Sequence, residues 1–211
     1  MNIIDRGEFQ LNKKRCIIIF LVILVILAII GIMIINKYNK NKQKSETKIP
    51  VLLYHNSVTT VPDSDLDNFN YINTPQSFEE NVKTILEDGY TIISMNELDK
   101  AIRGKTELPS NPMLITFDDG YYSNYEYIYP ILKKYNIKAS IFVTTDKIGK
   151  EINGIKYLDW NECLKMQERG LVEIFSHSKK HIFYNKVPVR EIRDDVLESY
   201  KIIEKNLGKK R

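Results

Sequence analysis

Residues 113–120, Met113-Leu114-Ile115-Thr116-Phe117-Asp118-Asp119-Gly120, join an apolar run directly to two neighbouring aspartates and a glycine. An apolar run that is bounded by a glycine is typical of a buried strand. In folds built on parallel strands, chemistry collects where the strands end. Because two ionised carboxylates in a half-buried pocket are costly unless a cation or a proton separates them, we predict a bound metal here. One aspartate would bind the metal and the other would act as a base, although Asp-Asp-Gly is also a common turn sequence.

Four further apolar runs predict strands at residues 51–54, 90–94, 139–143 and 171–175. Helical segments separate them, and this alternation predicts an α/β fold whose parallel strands are joined by right-handed crossovers. His55, the Asp118-Asp119 pair and His177 each follow directly on a predicted strand. We therefore expect these side chains at the same end of the sheet.

Helical periodicity predicts the connecting segments. Thr74 as the N-cap and Pro75 as the first helical residue should start a helix. Its apolar face would comprise Phe78, Val82, Ile85 and Leu86. Further helices are predicted at residues 96–102, at 122–135 with a kink at Pro130, and at 160–167. A last helix would carry an apolar stripe and end at Gly208; the stripe comprises Val189, Ile192, Val196, Ile203 and Leu207.

Residues 16–35 form an unbroken apolar stretch without a charged residue. About 20 residues cross a bilayer as a helix, whereas the apolar part of a signal peptide is usually about 7–15 residues long. We therefore favour a transmembrane signal anchor at 16–36 over a signal peptide, with a cytoplasmic tail at 1–15, a polar linker at 37–48 and a globular domain at 49–211. Lysines flank the stretch on both sides, so charge alone does not decide its orientation. A dispersed net charge of +4 argues against nucleic acid as a partner.

The chain has three histidines, His55, His177 and His181. The four-residue spacing of His177 and His181 predicts that both lie on one side of a helical turn. Two imidazoles and one carboxylate would make a three-ligand site for a divalent metal, with Zn²⁺ as the first choice and Co²⁺, Ni²⁺ or Fe²⁺ as alternatives. Taken singly, a surface histidine pair and a structural His55 would explain these residues equally well. Their shared position after predicted strands favours a site.

Together these residues resemble the polysaccharide deacetylase family, carbohydrate esterase family 4. The first motif of that family, Thr-Phe-Asp-Asp-Gly, is present letter for letter at residues 116–120, and its second, His-Ser/Thr-x-x-His, is matched at residues 177–181. The segment after the first motif also looks like the helix and strand of the family. The resemblance covers residues 49–211 and implies a distorted, incompletely closed (β/α) barrel.

The resemblance also implies roles for single residues. Asp118 would be the general base, and Asp119, His177 and His181 would bind the metal. Residues 51–55 look like the branch that includes biofilm poly-N-acetylglucosamine deacetylases, which implies that His55 is the general acid. The implied reaction removes N-acetyl groups from N-acetylglucosamine units of a cell-envelope or extracellular polysaccharide. That reaction fits a single-pass protein of the cell membrane whose catalytic domain is extracellular.

Later motifs of the family, an Arg-containing, an Asp/Trp and a Leu-His segment, are absent from the sequence. We therefore expect a barrel that is incomplete at its C-terminus, with one strand edge and one helix face lacking a partner. A truncated product, a frameshifted remnant and an incomplete sequence would each explain this. One alternative function is a catalytically impaired remnant that acts as a membrane-anchored carbohydrate- or metal-binding module. Another is an amidohydrolase that acts on a substrate other than a sugar.

Overall fold

The computed structural model of the protein describes residues 3–45, 48–59 and 72–208, with side chains described at 18–39, 48–59 and 72–208. The chain divides into two units, Met1–Lys48 and Ile49–Arg211. Parts of the predicted segments lie outside the described residues: 1–2 of the tail, 46–47 of the linker, and 60–71 and 209–211 of the globular domain.

The first unit is a helix, α1 (Ile3–Ser45). Within it, Ile18–Asn39 spans 22 residues with a mean hydropathy of 3.7, so this segment is long and apolar enough to cross a membrane. A signal sequence near the N-terminus has the same properties. The helix continues into the segments that the sequence predicts as a tail and a polar linker. The division into residues 1–15, 16–36 and 37–48 stays a prediction.

The second unit contains short strands and helices in alternation. The strands are β1 (Val51–Tyr54), β2 (Asn56–Ser57), β3 (Ile72–Asn73), β4 (Thr91–Ile92), β5 (Pro112–Phe117), β6 (Ala139–Val143), β7 (Glu151–Ile152), β8 (Ile155–Lys156) and β9 (Val172–Ser176). The helices are α2 (Pro75–Glu87), α3 (Met95–Ile102), α4 (Tyr129–Tyr135), α5 (Trp160–Glu168) and α6 (Val189–Leu207).

The main sheet has the strand order β1-β5-β6-β9, and β4 pairs with the first two residues of β5. Every pair in this sheet is parallel. The five strands correspond to the five that the sequence predicts, which confirms the predicted parallel α/β architecture. Two additional small pairs, β2–β3 and β7–β8, were not predicted, because their sequences lack the apolar run that marks the strands of the main sheet.

Strand β5 lies in the interior of the sheet, and all six of its residues are buried. This position explains why its sequence is a continuous apolar run rather than an alternating one, since both faces of the strand are covered. The Phe117 ring contacts Tyr54 and Phe78, with centroids 5.4 and 5.6 Å apart. This packing anchors the end of β5 immediately before the two aspartates.

Helix α2 begins as predicted, with the Thr74 hydroxyl accepting a hydrogen bond from the Ser77 N–H and with Pro75 in the first turn. Phe78, Val82 and Ile85 are buried as expected, but Leu86 is 37% exposed. The prediction was therefore wrong for Leu86, which lies at the rim of the helix contact.

The segment predicted as a helix at 122–135 is helical without interruption from residue 123 to residue 135. A π-helical turn spans Asn124–Ile128 and runs directly into α4, with Pro130 near the start of α4. A proline lacks the N–H that the helical ladder needs, and a helix accommodates it by a local irregularity such as a π-turn. The predicted helix is therefore confirmed, and its irregularity lies directly before Pro130.

Helix α6 also differs from its predicted orientation. Among its described residues the two that are fully buried are polar, Asp195 and Ser199. Val189 is 80% exposed and Val196 is 43% exposed, so the predicted apolar stripe does not face the core at these positions. Ile203 and Leu207 do pack against the core. The first half of α6 therefore presents hydrogen-bonding groups to the rest of the unit.

Candidate active site

Strands β1, β5 and β9 are parallel and end at the same edge of the main sheet, with β6 between β5 and β9, and the predicted side chains follow these three strands directly. Tyr54, the last residue of β1, accepts the Asp118 N–H through its carbonyl at 2.9 Å. The Val143 carbonyl of β6 likewise accepts the His177 N–H at 2.9 Å. The strand ladders thus extend one residue into the site, which fixes the backbone of Asp118 and of His177. His55 follows directly on β1.

Directly after Asp118, the chain makes a tight turn. Asp119 and Gly120 both adopt left-handed backbone conformations, with φ of 69° and 81°. The Gly120 N–H donates to the Asp118 carbonyl at 2.9 Å, and the Gly120 carbonyl accepts the Leu158 N–H at 2.9 Å. An aspartate tolerates the left-handed region better than most residues do, and a glycine adopts it without strain. This turn separates the environments of two carboxylates that are adjacent in sequence.

Gly120 is needed for space as well as for its backbone conformation. A Cβ at this position would lie 2.9 Å from Val143 Cγ1. We expect Gly120→Ala to lower the free energy of unfolding by about 2–5 kcal/mol, since a left-handed backbone costs about 1–2 kcal/mol and overpacking costs about 1–3 kcal/mol. Urea unfolding of the full chain would measure this loss.

Gly149→Ala is the matched control for this substitution. Gly149 has a φ of 73° but no atom within 4 Å of the position of an added Cβ. It should lose only the backbone contribution of about 1–2 kcal/mol. Equal losses for the two variants would contradict a steric role for Gly120.

The Asp119 carboxylate is buried, at 6% exposure, and is surrounded by donors. Its Oδ1 atom lies 3.1 Å from His181 Nε2 and 3.2 Å from Lys147 Nζ. Thr144 Oγ1 donates to the same oxygen at 3.4 Å. These partners offset the cost of burying a charged group.

His177 and His181 lie in an irregular loop rather than on the predicted helical turn. Ser178 and His181 have positive φ values of 72° and 57°, which a right-handed helix does not allow. The Ser176 hydroxyl accepts the Ser178 N–H at 3.1 Å, and the Ser178 hydroxyl accepts the His181 N–H at 2.9 Å. Side chains therefore satisfy N–H groups that a helix would have paired with backbone carbonyls.

The loop still brings the two imidazoles together, with ring centroids 5.1 Å apart. One ligand atom each from Asp119, His177 and His181 lies within 4.8 Å of the other two. Two imidazole nitrogens and a carboxylate oxygen that converge in this way suit a divalent transition metal and leave open positions for water and substrate. The donor set accommodates Zn²⁺, Co²⁺ and Ni²⁺ alike, so it does not select among them.

Asp118 lies beside this group of three. Its Oδ2 atom is 4.0 Å from His177 Nδ1, and its side chain is 17% exposed. Burial is the main influence on its pKa and raises it above the ordinary value of an aspartate; the charge of Asp119 adds to the rise, while His177 and His55 act against it. His55 follows directly on β1, which pairs with β5 up to Phe117, the residue before Asp118.

The pKa of Asp119 shifts in the opposite direction. Burial acts to raise this pKa as well, but Lys147 and His181 outweigh it, so the pKa lies below the ordinary value. Asp119 therefore stays ionised, whereas Asp118 binds a proton more readily. Two neighbouring carboxylates whose pKa values are pushed apart can take different roles, one as a fixed anion and one as a base.

Several residues around the site were not predicted from the sequence. Lys147 and Thr144 come after β6, so the argument from strand ends could have included them. Asp195 had no such signal, because it lies on α6 and reaches the histidine loop only in the folded chain. Its Oδ1 atom accepts the Lys180 N–H at 3.0 Å and its Oδ2 atom accepts the Lys179 N–H at 2.9 Å.

Comparisons with known proteins agree with this fold. The chain is 29% identical over 164 residues to YxkH of Bacillus subtilis, provisionally named as a polysaccharide deacetylase, covering 77% of this chain and 54% of YxkH. It is 28% identical over 151 residues to poly-β-1,6-N-acetyl-D-glucosamine N-deacetylase of Staphylococcus aureus, covering 66% of this chain and 51% of that enzyme. The chain thus spans about half the length of the curated relatives that it matches.

The structure resembles that of the Streptococcus pyogenes deacetylase PplD in complex with acetate, with a TM-score of 0.68 and 25% identity over 77% of this chain and 70% of that one. The solved deacetylases that it resembles have a (β/α) barrel fold, which confirms the predicted fold class. The profile of the polysaccharide deacetylase family matches residues 105–211, just over half of the chain. The chain therefore belongs to the polysaccharide deacetylase family.

Proposed function

We propose that this protein is a metal-dependent hydrolase that removes N-acetyl groups from N-acetylglucosamine units of a polysaccharide. The observation that carries the proposal is the convergence of ligand atoms from Asp119, His177 and His181 within 4.8 Å, beside an aspartate whose pKa is raised. A three-ligand site with a neighbouring base is the arrangement that metal-assisted hydrolysis requires.

In this proposal, Asp119, His177 and His181 hold a divalent metal, with Zn²⁺ as the first choice and Co²⁺ or Ni²⁺ as alternatives. Such a metal lowers the pKa of bound water to about 7 and polarises a carbonyl group. Asp118 takes the proton from the water that attacks the acetyl carbon, and its raised pKa makes it a stronger base for this step. His55, on the neighbouring strand end, gives a proton to the departing amine. The products are acetate and a glucosamine unit.

The substrate class follows from the relatives. The enzyme of Staphylococcus aureus is named for poly-β-1,6-N-acetyl-D-glucosamine. We therefore propose a polymer of N-acetylglucosamine as the substrate of this chain, with peptidoglycan and chitin-like oligomers as the other candidates to compare.

The test is acetate release by the full chain in detergent, supplied with each of the three polymers. We expect release that stops when a chelator such as EDTA removes the metal and returns when Zn²⁺ or Co²⁺ is added back. The chelator should leave the circular dichroism of the protein unchanged, because the metal ligands lie in turns and loops rather than in helices or strands. Metal binding without acetate release from any polymer would overturn the proposal and favour the alternative of a non-catalytic binding module.

We further propose that α1 anchors the protein in the cell membrane with the catalytic unit outside. The support is the apolar segment Ile18–Asn39, whose side chains are exposed along the helix. In cells, the chain should sediment with membranes at its full length, and protease added to intact cells should degrade the second unit. A shortened chain in the culture medium would instead indicate a cleaved signal peptide.

A further inference from the structure

The histidine loop, residues 177–181, is hydrogen-bonded to a helix that contributes no metal ligand, α6. Asp195 of α6 is 4% exposed, so it belongs to the interior of the unit. Its carboxylate accepts the Lys179 and Lys180 N–H groups at 2.9 and 3.0 Å, and the Tyr184 hydroxyl at 2.9 Å. Three donors on one buried carboxylate satisfy it, and two of these donors are backbone groups between the two histidines.

Ser199 lies one helical turn after Asp195 and adds a second anchor. Its hydroxyl donates to the Ser178 carbonyl at 3.1 Å and lies 2.6 Å from Ser176 Oγ. It is fully buried. Asp195 and Ser199 therefore bond to the chain from residue 176 to residue 180, a stretch that includes Ser178 with its positive φ of 72°.

On its other side, the loop is bonded to the segment after β6: the Thr145 N–H donates to the Ser178 carbonyl at 3.2 Å and the Asp146 N–H donates to the Lys179 carbonyl at 3.0 Å. These bonds use loop carbonyls, so the Lys179 and Lys180 N–H groups depend on Asp195. His181 is 45% exposed at its side chain, and the Lys179 and Lys180 N–H groups lie in a stretch without regular secondary structure. A site whose ligands must converge depends on the outer contacts that orient them, and losing one such contact commonly weakens metal binding about 10–100-fold.

We propose that Asp195 is a positioning residue for the metal site, with Ser199 as its partner: it holds the loop so that His177 and His181 converge on Asp119. This inference rests on the proposed metal site and adds to it a polar anchor on α6. It also explains why the buried residues of α6 are polar.

Asp195→Asn tests the proposal with little change of shape. Both carboxylate oxygens accept hydrogen bonds, so an amide in either orientation would turn its NH₂ group towards at least one N–H or O–H donor. We expect Asp195→Asn to weaken Co²⁺ or Zn²⁺ binding by the full chain by about 10–100-fold, measured by competition with a chelating dye. A role limited to stability would lower the melting temperature of the metal-free protein but leave the metal affinity of the folded protein unchanged.

Asp194→Asn is the matched control, because Asp194 is the neighbouring residue, has a side chain that is 51% exposed, and lies 3.9 Å from Arg190 and from Arg193. It should bind metal as the unchanged chain does. Should Asp195→Asn fail to fold, Ser199→Ala removes only a hydroxyl group and should also weaken metal binding. The inference would be overturned if folded Asp195→Asn or Ser199→Ala bound metal as tightly as Asp194→Asn does. Absence of metal binding by the unchanged chain would instead overturn the proposed function.

Discussion

Asp118→Asn is expected to lower the kcat of acetate release by roughly 10²–10⁴-fold, the range that a general base commonly contributes. An amide has nearly the shape of the carboxylate but does not accept a proton at neutral pH. The backbone contact of this residue, from its N–H to the Tyr54 carbonyl, does not involve the side chain. The fold and the strand ladder should therefore persist.

Metal binding distinguishes this loss from a damaged site. Asp118 is not among the three residues whose ligand atoms converge, so Asp118→Asn should bind Zn²⁺ as tightly as the unchanged chain. Asp88→Asn, at the exposed end of α2, is the control for replacing an aspartate and should keep full activity. Acetate release at the original rate from metal-loaded Asp118→Asn would rule out Asp118 as the base.

The second large effect is expected from replacing a metal ligand. His181→Gln should weaken Zn²⁺ or Co²⁺ binding by more than the roughly 10–100-fold that outer contacts contribute, because a direct ligand is lost. The His181 side chain is 45% exposed, and its Nε2 atom lies 3.1 Å from Asp119 Oδ1. The amide of a glutamine can donate to the same oxygen, so the metal-free variant should still fold. Loss of metal with retained folding would identify His181 as a ligand; unchanged affinity would exclude it.

His55→Gln is the matched control for this measurement, and it also tests the proposed acid. His55 is not among the three converging residues, so the variant should bind metal normally. If His55 protonates the departing amine, its kcat should fall by roughly 10²–10⁴-fold while metal affinity is kept. Normal kcat would exclude His55 as the acid, and loss of metal would indicate that it is a ligand instead.

Much of the architecture followed from local sequence patterns. The five main strands were predicted because continuous apolar runs between turn residues are typical of buried parallel strands. The N-terminus of α2 was predicted because the Thr74 cap and Pro75 act on neighbouring backbone groups. Such features depend on residues that are close in sequence, so the amino-acid sequence is sufficient to recognise them.

Other predictions failed where a distant partner determined the outcome. The apolar stripe of α6 predicted a buried face through Val196, but Asp195 and Ser199 are the residues that turn inwards. Their hydrogen bonds reach residues 176–180, which lie on a different element. The periodicity of apolar residues indicates how apolar one face of a helix is. It carries no information about polar partners elsewhere in the chain.

Local sequence patterns were enough to predict that Asp118, Asp119, His55 and His177 lie at one end of a parallel sheet, because they follow strands and parallel strands end on the same side. The same residues also reveal which ligand types are present. How they meet depends on the folded chain: Asp119 lies in a left-handed turn among Lys147, Thr144 and His181, and the histidine pair lies in a loop instead of a helix. These backbone conformations are unfavourable locally, and they are held by contacts from the segment after β6 and from α6, whose positions depend on the whole fold.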